Sequence, residues 1–124
     1  MAIPIFDAHL DLAWSAVFFN RDLTLDVAEL RRREEGMTDE RARGRGTVTL
    51  PELRQAGVGV CVATLLARGG PEQKRAEGYK RTDLDYVNQD VAHCAAHAQL
   101  AWYRLMEAQG RLRGRNTAEA MRVG

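Results

Sequence analysis

The sequence predicts an α/β domain with a parallel sheet, on three observations. An apolar strand opens the chain in residues 3–11. A second apolar run, bounded by glycines, covers residues 58–66 and has the composition of a buried parallel strand. Segments with helical periodicity lie between these strands and after them, which is the alternation expected of α/β folds.

The first strand runs into three side chains that can bind metal, Asp7, His9 and Asp11. Successive side chains of a strand point to opposite faces, so these three share one face if the strand persists that far. Because α/β folds place their chemistry past the carboxyl ends of strands, His9 and Asp11 form a candidate half-site for a divalent ion. The alternative is that both carboxylates cap the following turn or helix, while His9 is a partly buried structural histidine.

A helix is predicted from residues 24–26 to about Glu35, and it ends at Gly36. Residues 26–46 hold six basic and six acidic side chains, which predicts a solvated, salt-bridged surface rather than an anion-binding patch.

A capping box opens the next helix, with Thr49 at the N-cap, Pro51 in the first turn and Glu52 three residues on. This short helix stops at Gly57, immediately before the second strand.

The longest predicted helix covers about residues 82–109, from Thr82 to just before Gly110. His93 and His97 lie one turn apart on it, a spacing that can bind zinc. Without a third ligand or the glutamate of the protease pattern, we interpret them as part of a polar helix face. The predicted apolar stripe consists of Leu84, Val87, Val91, Cys94, Ala98, Ala101 or Trp102, and Leu105.

The net charge of +1, from 18 basic and 17 acidic residues, argues against a nucleic-acid or membrane-surface partner. No apolar run reaches the roughly 18 residues of a membrane span, and no secretory signal opens the chain. We therefore expect a cytoplasmic protein. Cys61 and Cys94 are predicted to be buried small apolar residues rather than a disulfide pair.

Residues 7–11, Asp-Ala-His-Leu-Asp, resemble the opening motif of the membrane-dipeptidase (renal dipeptidase-like) family of zinc metallopeptidases, Asp-[Gly/Ala]-His-x-Asp after an apolar strand. Residues 50–59, Leu-Pro-Glu-Leu-Arg-Gln-Ala-Gly-Val-Gly, are similar to the block that leads into the second barrel strand of that family. Two positions depart from the family pattern: Ala56 stands where glycine is frequent, and Thr49 where many members are acidic.

The resemblance implies an amidohydrolase-type (β/α)8 TIM barrel with two zinc ions, which hydrolyses dipeptides. It implies that His9 and Asp11 bind one zinc ion. The glutamate that bridges the two metals and the two later histidines of the family have no counterpart here, so no catalytic residue is assigned within this chain. Independently of the resemblance, Asp7 is a candidate for orienting His9, since ligating histidines usually donate their other N–H to a carboxylate or carbonyl.

A complete barrel needs about 250 residues. The 124 residues are therefore expected to be an N-terminal portion, a partial barrel domain over residues 1–124 that is inactive alone. Its expected partner is a dipeptide substrate in the complete enzyme, and a homodimer is left open. The alternatives are a non-catalytic binding or assembly module, and another amidohydrolase with a different scissile bond.

Overall fold

The computed structural model describes residues 4–69 and 85–114. Strands and helices both occur along them, which confirms a mixed α/β class. In chain order the elements are β1 (Ile5–Leu10), α1 (Leu12–Phe18), α2 (Val27–Arg33), α3 (Leu50–Gln55), β2 (Val58–Ala63), β3 (Arg68–Gly69), β4 (Asp85–Tyr86) and α4 (Gln89–Ala108).

The first strand pairs in parallel with β2, as the sequence predicts, and the register shifts twice along the pair. A second parallel pair, only two residues long, joins β3 to β4. In the larger pair the partners are Ile5 with Val58, Phe6 with Val60, Asp7 with Cys61, and Leu10 with Ala63.

The core lies on one side of the β1–β2 sheet, where α1 and α4 pack against each other. Leu10 and Cys61 contact this core from the sheet. The buried apolar cluster consists of Leu12, Ala16, Leu23, Leu30, Leu50 and Met106. Within the described residues, no helix is both long enough and apolar enough to cross a membrane.

The prediction that the second strand is buried is wrong for the described part of the chain. Val62 is 46 % exposed, and Phe6 on the neighbouring strand is 60 % exposed. The apolar composition of β2 is real, but the described helices cover only one face of the sheet. We call the exposed side chains Phe6, Val60 and Val62, which the strand register and alternation place on one side of the sheet, the open sheet face.

The long helix begins later than predicted, at Gln89 instead of Thr82. Asn88 is its N-cap, and its side-chain oxygen accepts a hydrogen bond from the Val91 N–H at 2.9 Å. Two residues earlier, Tyr86 already pairs with Gly69 in the short sheet, so the backbone is extended there. Thr82 and Asp83, expected in the first helical turn, lie outside the described residues.

The predicted apolar stripe of this helix holds at Trp102, which packs against the core, but elsewhere it is wrong by about one residue. Val91 is 41 % exposed and Leu105 is 51 % exposed. Cys94 is exposed too, contrary to its predicted burial, whereas Cys61 is half-buried. The side that packs inward carries two alanines, one glutamine and one methionine, namely Ala92, Ala95, Gln99 and Met106.

The two short helices begin and end close to the predicted positions. The carboxylate of Asp26 caps α2 through the Glu29 N–H at 2.8 Å, and Gly57 follows α3 with a φ of 76°, a value that favours glycine. Thr49 is the N-cap of α3, but the predicted capping box does not form. Its hydroxyl donates instead to the Glu52 carboxylate, which in turn accepts the Val27 N–H at the start of α2 at 3.0 Å.

The arginine-rich segment is only partly the solvated surface that the sequence predicts. Glu29 pairs with Arg32 and Arg33 in the open, but Glu34 is 4 % exposed. Its carboxylate receives Arg21 at 2.6 and 2.9 Å and Arg43 at 2.8 Å. We call Arg21, Glu34 and Arg43 the Glu34 cluster. It ties the loop after α2 to the end of α1, because Arg43 also donates to the Phe19 carbonyl.

Candidate metal half-site

The carboxyl end of β1 carries the two side chains that the sequence predicts as metal ligands. The strand ends at Leu10, and Asp11 stands at the start of α1. Although Asp11 occupies the N-cap position, its carboxylate accepts no hydrogen bond from a backbone N–H of the helix. The alternative that Asp11 serves as a helix cap is therefore not supported by its contacts.

The imidazole of His9 and the carboxylate of Asp11 meet at this point. His9 Nε2 lies 3.2 Å from Asp11 Oδ1, with the two side chains 69 % and 31 % exposed. A dissolved ion can therefore reach both atoms. The structure brings these two residues together, while their binding of a metal stays a prediction.

The distance between the two atoms fits a zinc site. Zinc bonds to histidine nitrogen and carboxylate oxygen are about 2.1 Å long, so two ligand atoms of a tetrahedral site lie about 3.4 Å apart. The observed separation of 3.2 Å is close to this value. An ion could enter between the two atoms with little movement of either side chain.

Asp7 contacts His9 in a different way from the one predicted. Its Oδ1 accepts a hydrogen bond from the His9 backbone N–H at 2.9 Å. This contact positions the main chain of His9 rather than its ring. Asp7 also pairs with Cys61 across the sheet, and burial together with the Asp7 charge raises the pKa of the Cys61 thiol.

Thr64 is a further member of the site that the sequence analysis missed. It follows β2, and its N–H donates to the Leu10 carbonyl at 3.2 Å. Its hydroxyl hydrogen-bonds the same Asp11 oxygen that faces His9. The parallel pairing of the strands thus supplies a donor that fixes the carboxylate, an arrangement commonly seen behind metal ligands.

Two side chains of α4 hold this end of the sheet in place. The Tyr103 hydroxyl donates to the Thr64 carbonyl at 3.1 Å and accepts the Ala13 N–H at 3.3 Å. Gln99 is fully buried, and its amide pairs with both backbone groups of Leu66, at 2.7 and 2.8 Å. The sequence does carry a signal for them, because Gln99 and Tyr103 lie four positions apart and therefore on one face of the helix. A search for apolar positions alone does not detect it.

Among the residues that the structure describes, the half-site consists of two candidate ligands, His9 and Asp11. No group of three or more histidine, cysteine, aspartate or glutamate side chains there is arranged to hold a metal ion. Two surface cavities lie elsewhere, one beside the Glu34 cluster and one of about 580 Å³ between α4 and β3. Two ligands alone hold zinc weakly, since structural sites use four and catalytic sites three.

Comparison of the chain with protein-family models, with curated proteins and with solved structures gives no match.

Proposed function

We propose that this chain carries the first-strand half of the zinc site of a dipeptidase of the (β/α)8 barrel type. The observation that carries the proposal is the 3.2 Å contact between His9 Nε2 and Asp11 Oδ1 at the carboxyl end of a parallel strand. The resemblance of residues 7–11 to the dipeptidase motif points to the same two ligands.

The arrangement of the elements supports this proposal. Helix α3 leads directly into β2, which pairs in parallel with β1, and helices pack on one face of both strands. In a barrel the opposite face would be the interior, which is filled by apolar side chains such as those of the open sheet face. The two cysteines are free, which fits a cytoplasmic location.

The chemistry follows from the properties of the two ligands. To bind zinc, His9 must be neutral and Asp11 ionised, so protons compete with the metal and its binding weakens as the pH falls. The Thr64 hydroxyl donates to the Asp11 carboxylate and so fixes the position of one of its oxygens. A zinc ion held by His9, Asp11 and further ligands would supply Lewis-acid chemistry for peptide hydrolysis, including a bound water that is more acidic than free water.

A zinc titration followed by nuclear magnetic resonance tests the half-site. We expect the His9 ring nitrogen to shift on addition of zinc, and Asp11→Asn to weaken this binding by about tenfold or more. Asp22→Asn is a matched control, because Asp22 is exposed and its carboxylate accepts hydrogen bonds from Thr24 in its own turn. The proposal would be refuted if the His9 resonance did not shift on addition of zinc, or if Asp11→Asn bound zinc as tightly as the wild type.

The purified chain should not hydrolyse dipeptides at a measurable rate with zinc present, because its described residues supply two ligands where catalytic zinc uses three. Dipeptide turnover that disappears in His9→Ala would show instead that the chain is a complete catalyst.

A second candidate, a non-catalytic assembly module, is favoured by the open sheet face. Exposed apolar patches rimmed by polar residues often mark protein contacts. The two candidates differ in the role of the metal. A defined oligomer whose mass is the same with zinc and with a chelator would favour the module, and the lack of any zinc effect on His9 would favour it further.

A further inference from the structure

We propose that His93 and His97 form a separate metal-binding site on the surface of α4, which chelates a divalent transition-metal ion of the Cu²⁺, Ni²⁺ or Zn²⁺ type. The proposal does not depend on the function proposed for His9 and Asp11. It rests on the geometry of the helix, the exposure of both rings and the charges around them.

The helix places the two imidazoles for chelation. Both lie inside the 20-residue helix Gln89–Ala108, four positions apart and therefore on one face. Their ring centroids are 4.3 Å apart. This is shorter than the roughly 5–6 Å between Cβ atoms at this spacing, so the two rings lean toward each other. Chelation then needs rotation of the rings and no change in the backbone.

Both imidazoles are open to solvent, since His93 and His97 are exposed. His93 also lines the cavity between α4 and β3, beside Asn88 and Gln89. An ion on the pair would therefore keep room for water or another small ligand in its remaining coordination positions.

The neighbouring positions of α4 include one acidic residue and no lysine or arginine. Asp90 lies one turn before His93, and the first basic residue of α4, Arg104, comes two turns after His97. Imidazole binds copper, nickel and zinc, and affinity rises toward Cu²⁺ in the series of divalent ions. We therefore expect the pair to bind Cu²⁺ more tightly than Ni²⁺ or Zn²⁺, and to leave Mg²⁺ and Ca²⁺ unbound because these prefer oxygen.

The test is a titration of the full chain with Cu²⁺, followed by paramagnetic broadening of backbone amide resonances. The wild-type chain should lose the amide signals around residues 92–98 at the lowest copper concentrations. The decisive variant moves one histidine off the face, by combining His97→Ala with Ala98→His. It keeps the composition, and Ala98 is exposed, so the helix should persist.

We expect the shifted variant to bind copper on the helix at least about tenfold more weakly, because it loses the chelate. His9→Ala should leave helix binding unchanged, which separates this site from the half-site on β1. Far-ultraviolet circular dichroism without metal checks folding, and His93→Gln provides a second variant without the pair. The proposal would be overturned if the shifted variant and His93→Gln bound copper on the helix as tightly as the wild type. It would also be overturned if His9→Ala abolished the broadening of the helix amides.

Discussion

The Asp11 carboxylate is held from two directions at the end of the first strand. His9 Nε2 contacts one of its oxygens at 3.2 Å, and the Thr64 hydroxyl donates to the same oxygen. Thr64 comes from the second strand, 53 residues later in the chain. A single hydroxyl thus couples the position of the proposed ligand to correct pairing of the sheet.

Replacement of this hydroxyl should weaken zinc binding while the fold persists. We expect Thr64→Val, which keeps the side-chain shape, to reduce the affinity for zinc by about tenfold, since the ligand carboxylate loses a partner. Calorimetric titration measures the affinity. Thr47→Val is the control, because Thr47 is exposed in a loop. An unchanged affinity in Thr64→Val would mean that Asp11 does not depend on this donor.

Glu34 is a buried carboxylate whose charge contributes to stability. Burial raises the pKa of its carboxyl, but hydrogen bonds from Arg21, Arg43 and the Gly44 N–H outweigh burial and lower the pKa to about 2. Both arginines are nearly buried around it, with 8 % and 11 % of their side chains exposed. Loss of the carboxylate would leave two buried guanidinium groups without their shared counter-charge.

We expect Glu34→Gln to lower the free energy of unfolding at pH 7 by about 3 kcal/mol, the magnitude typical of a broken buried ion pair. Urea denaturation measures this quantity. Glu35→Gln is the matched control, because the neighbouring Glu35 is exposed and its replacement should cost less than about 0.5 kcal/mol. A Glu34 variant as stable as the control would contradict the structural role of the cluster.

The same carboxyl should make the fold sensitive to acid. The pKa of Glu34 in the folded chain, about 2, lies below its ordinary value of 4.5, so the unfolded state binds more protons in this range. The stabilisation is therefore complete above about pH 5 and is lost as the pH falls toward 2. We expect the unfolding free energy of Glu34→Gln to fall less steeply with acid than that of the wild type, and parallel pH profiles would contradict this.

At the scale of elements, α4 is fixed to the sheet by polar contacts as well as by packing. The Gln99 side-chain amide makes two hydrogen bonds with Leu66, one with its backbone N–H and one with its C=O. A neighbouring strand would otherwise supply such partners. Such a buried side chain is costly to remove, since its partners are left unpaired.

We expect Gln99→Ala to lower the free energy of unfolding by about 2–4 kcal/mol, for two lost hydrogen bonds and two unpaired backbone groups. Hydrogen exchange of the Leu66 amide should accelerate in this variant before global unfolding. Gln55→Ala, at an exposed position of α3, is the control. Unchanged protection of Leu66 would show that another group takes the place of the amide.

Elements with strong local signals could be predicted from the sequence, and those that depend on partners could not. Gly36 and Gly57 mark the ends of two helices, because their positive φ angles are a local property of the chain. The buried side of α4 contains Gln99 instead of Val91, because backbone groups of a distant segment select that side. The spacing of His9 and Asp11 along the chain predicts that they are neighbours, whereas the contact of Thr64 with Asp11 cannot be predicted in this way, because it exists only once β1 and β2 pair.

At the scale of the whole molecule, the described chain has one covered and one open side. The open sheet face holds large side chains that the described helices do not cover, with Phe6 at 60 % exposure. Apolar groups that remain in water attract other apolar surfaces, including those of other molecules. Strand edges near such a face increase this tendency.

Replacement of Phe6 should therefore change association more than stability. We expect Phe6→Thr to reduce the fluorescence of a dye that binds exposed apolar surface and to slow aggregation. Its unfolding free energy should change by less than about 1 kcal/mol. Met37→Thr is the control, because Met37 is similarly exposed but lies outside the sheet. A large loss of stability in Phe6→Thr would mean that the side chain is covered in solution.

The clamp between Gln99 and Leu66 also limits how the sheet can be extended. A strand that joined β2 at its outer edge would need free backbone donors and acceptors, and at Leu66 both are already occupied. An added strand could therefore pair with β2 only over the residues before Leu66 and would have to leave the sheet there. The helix thereby sets a fixed stopping place for the ladder, just beyond the proposed zinc ligands.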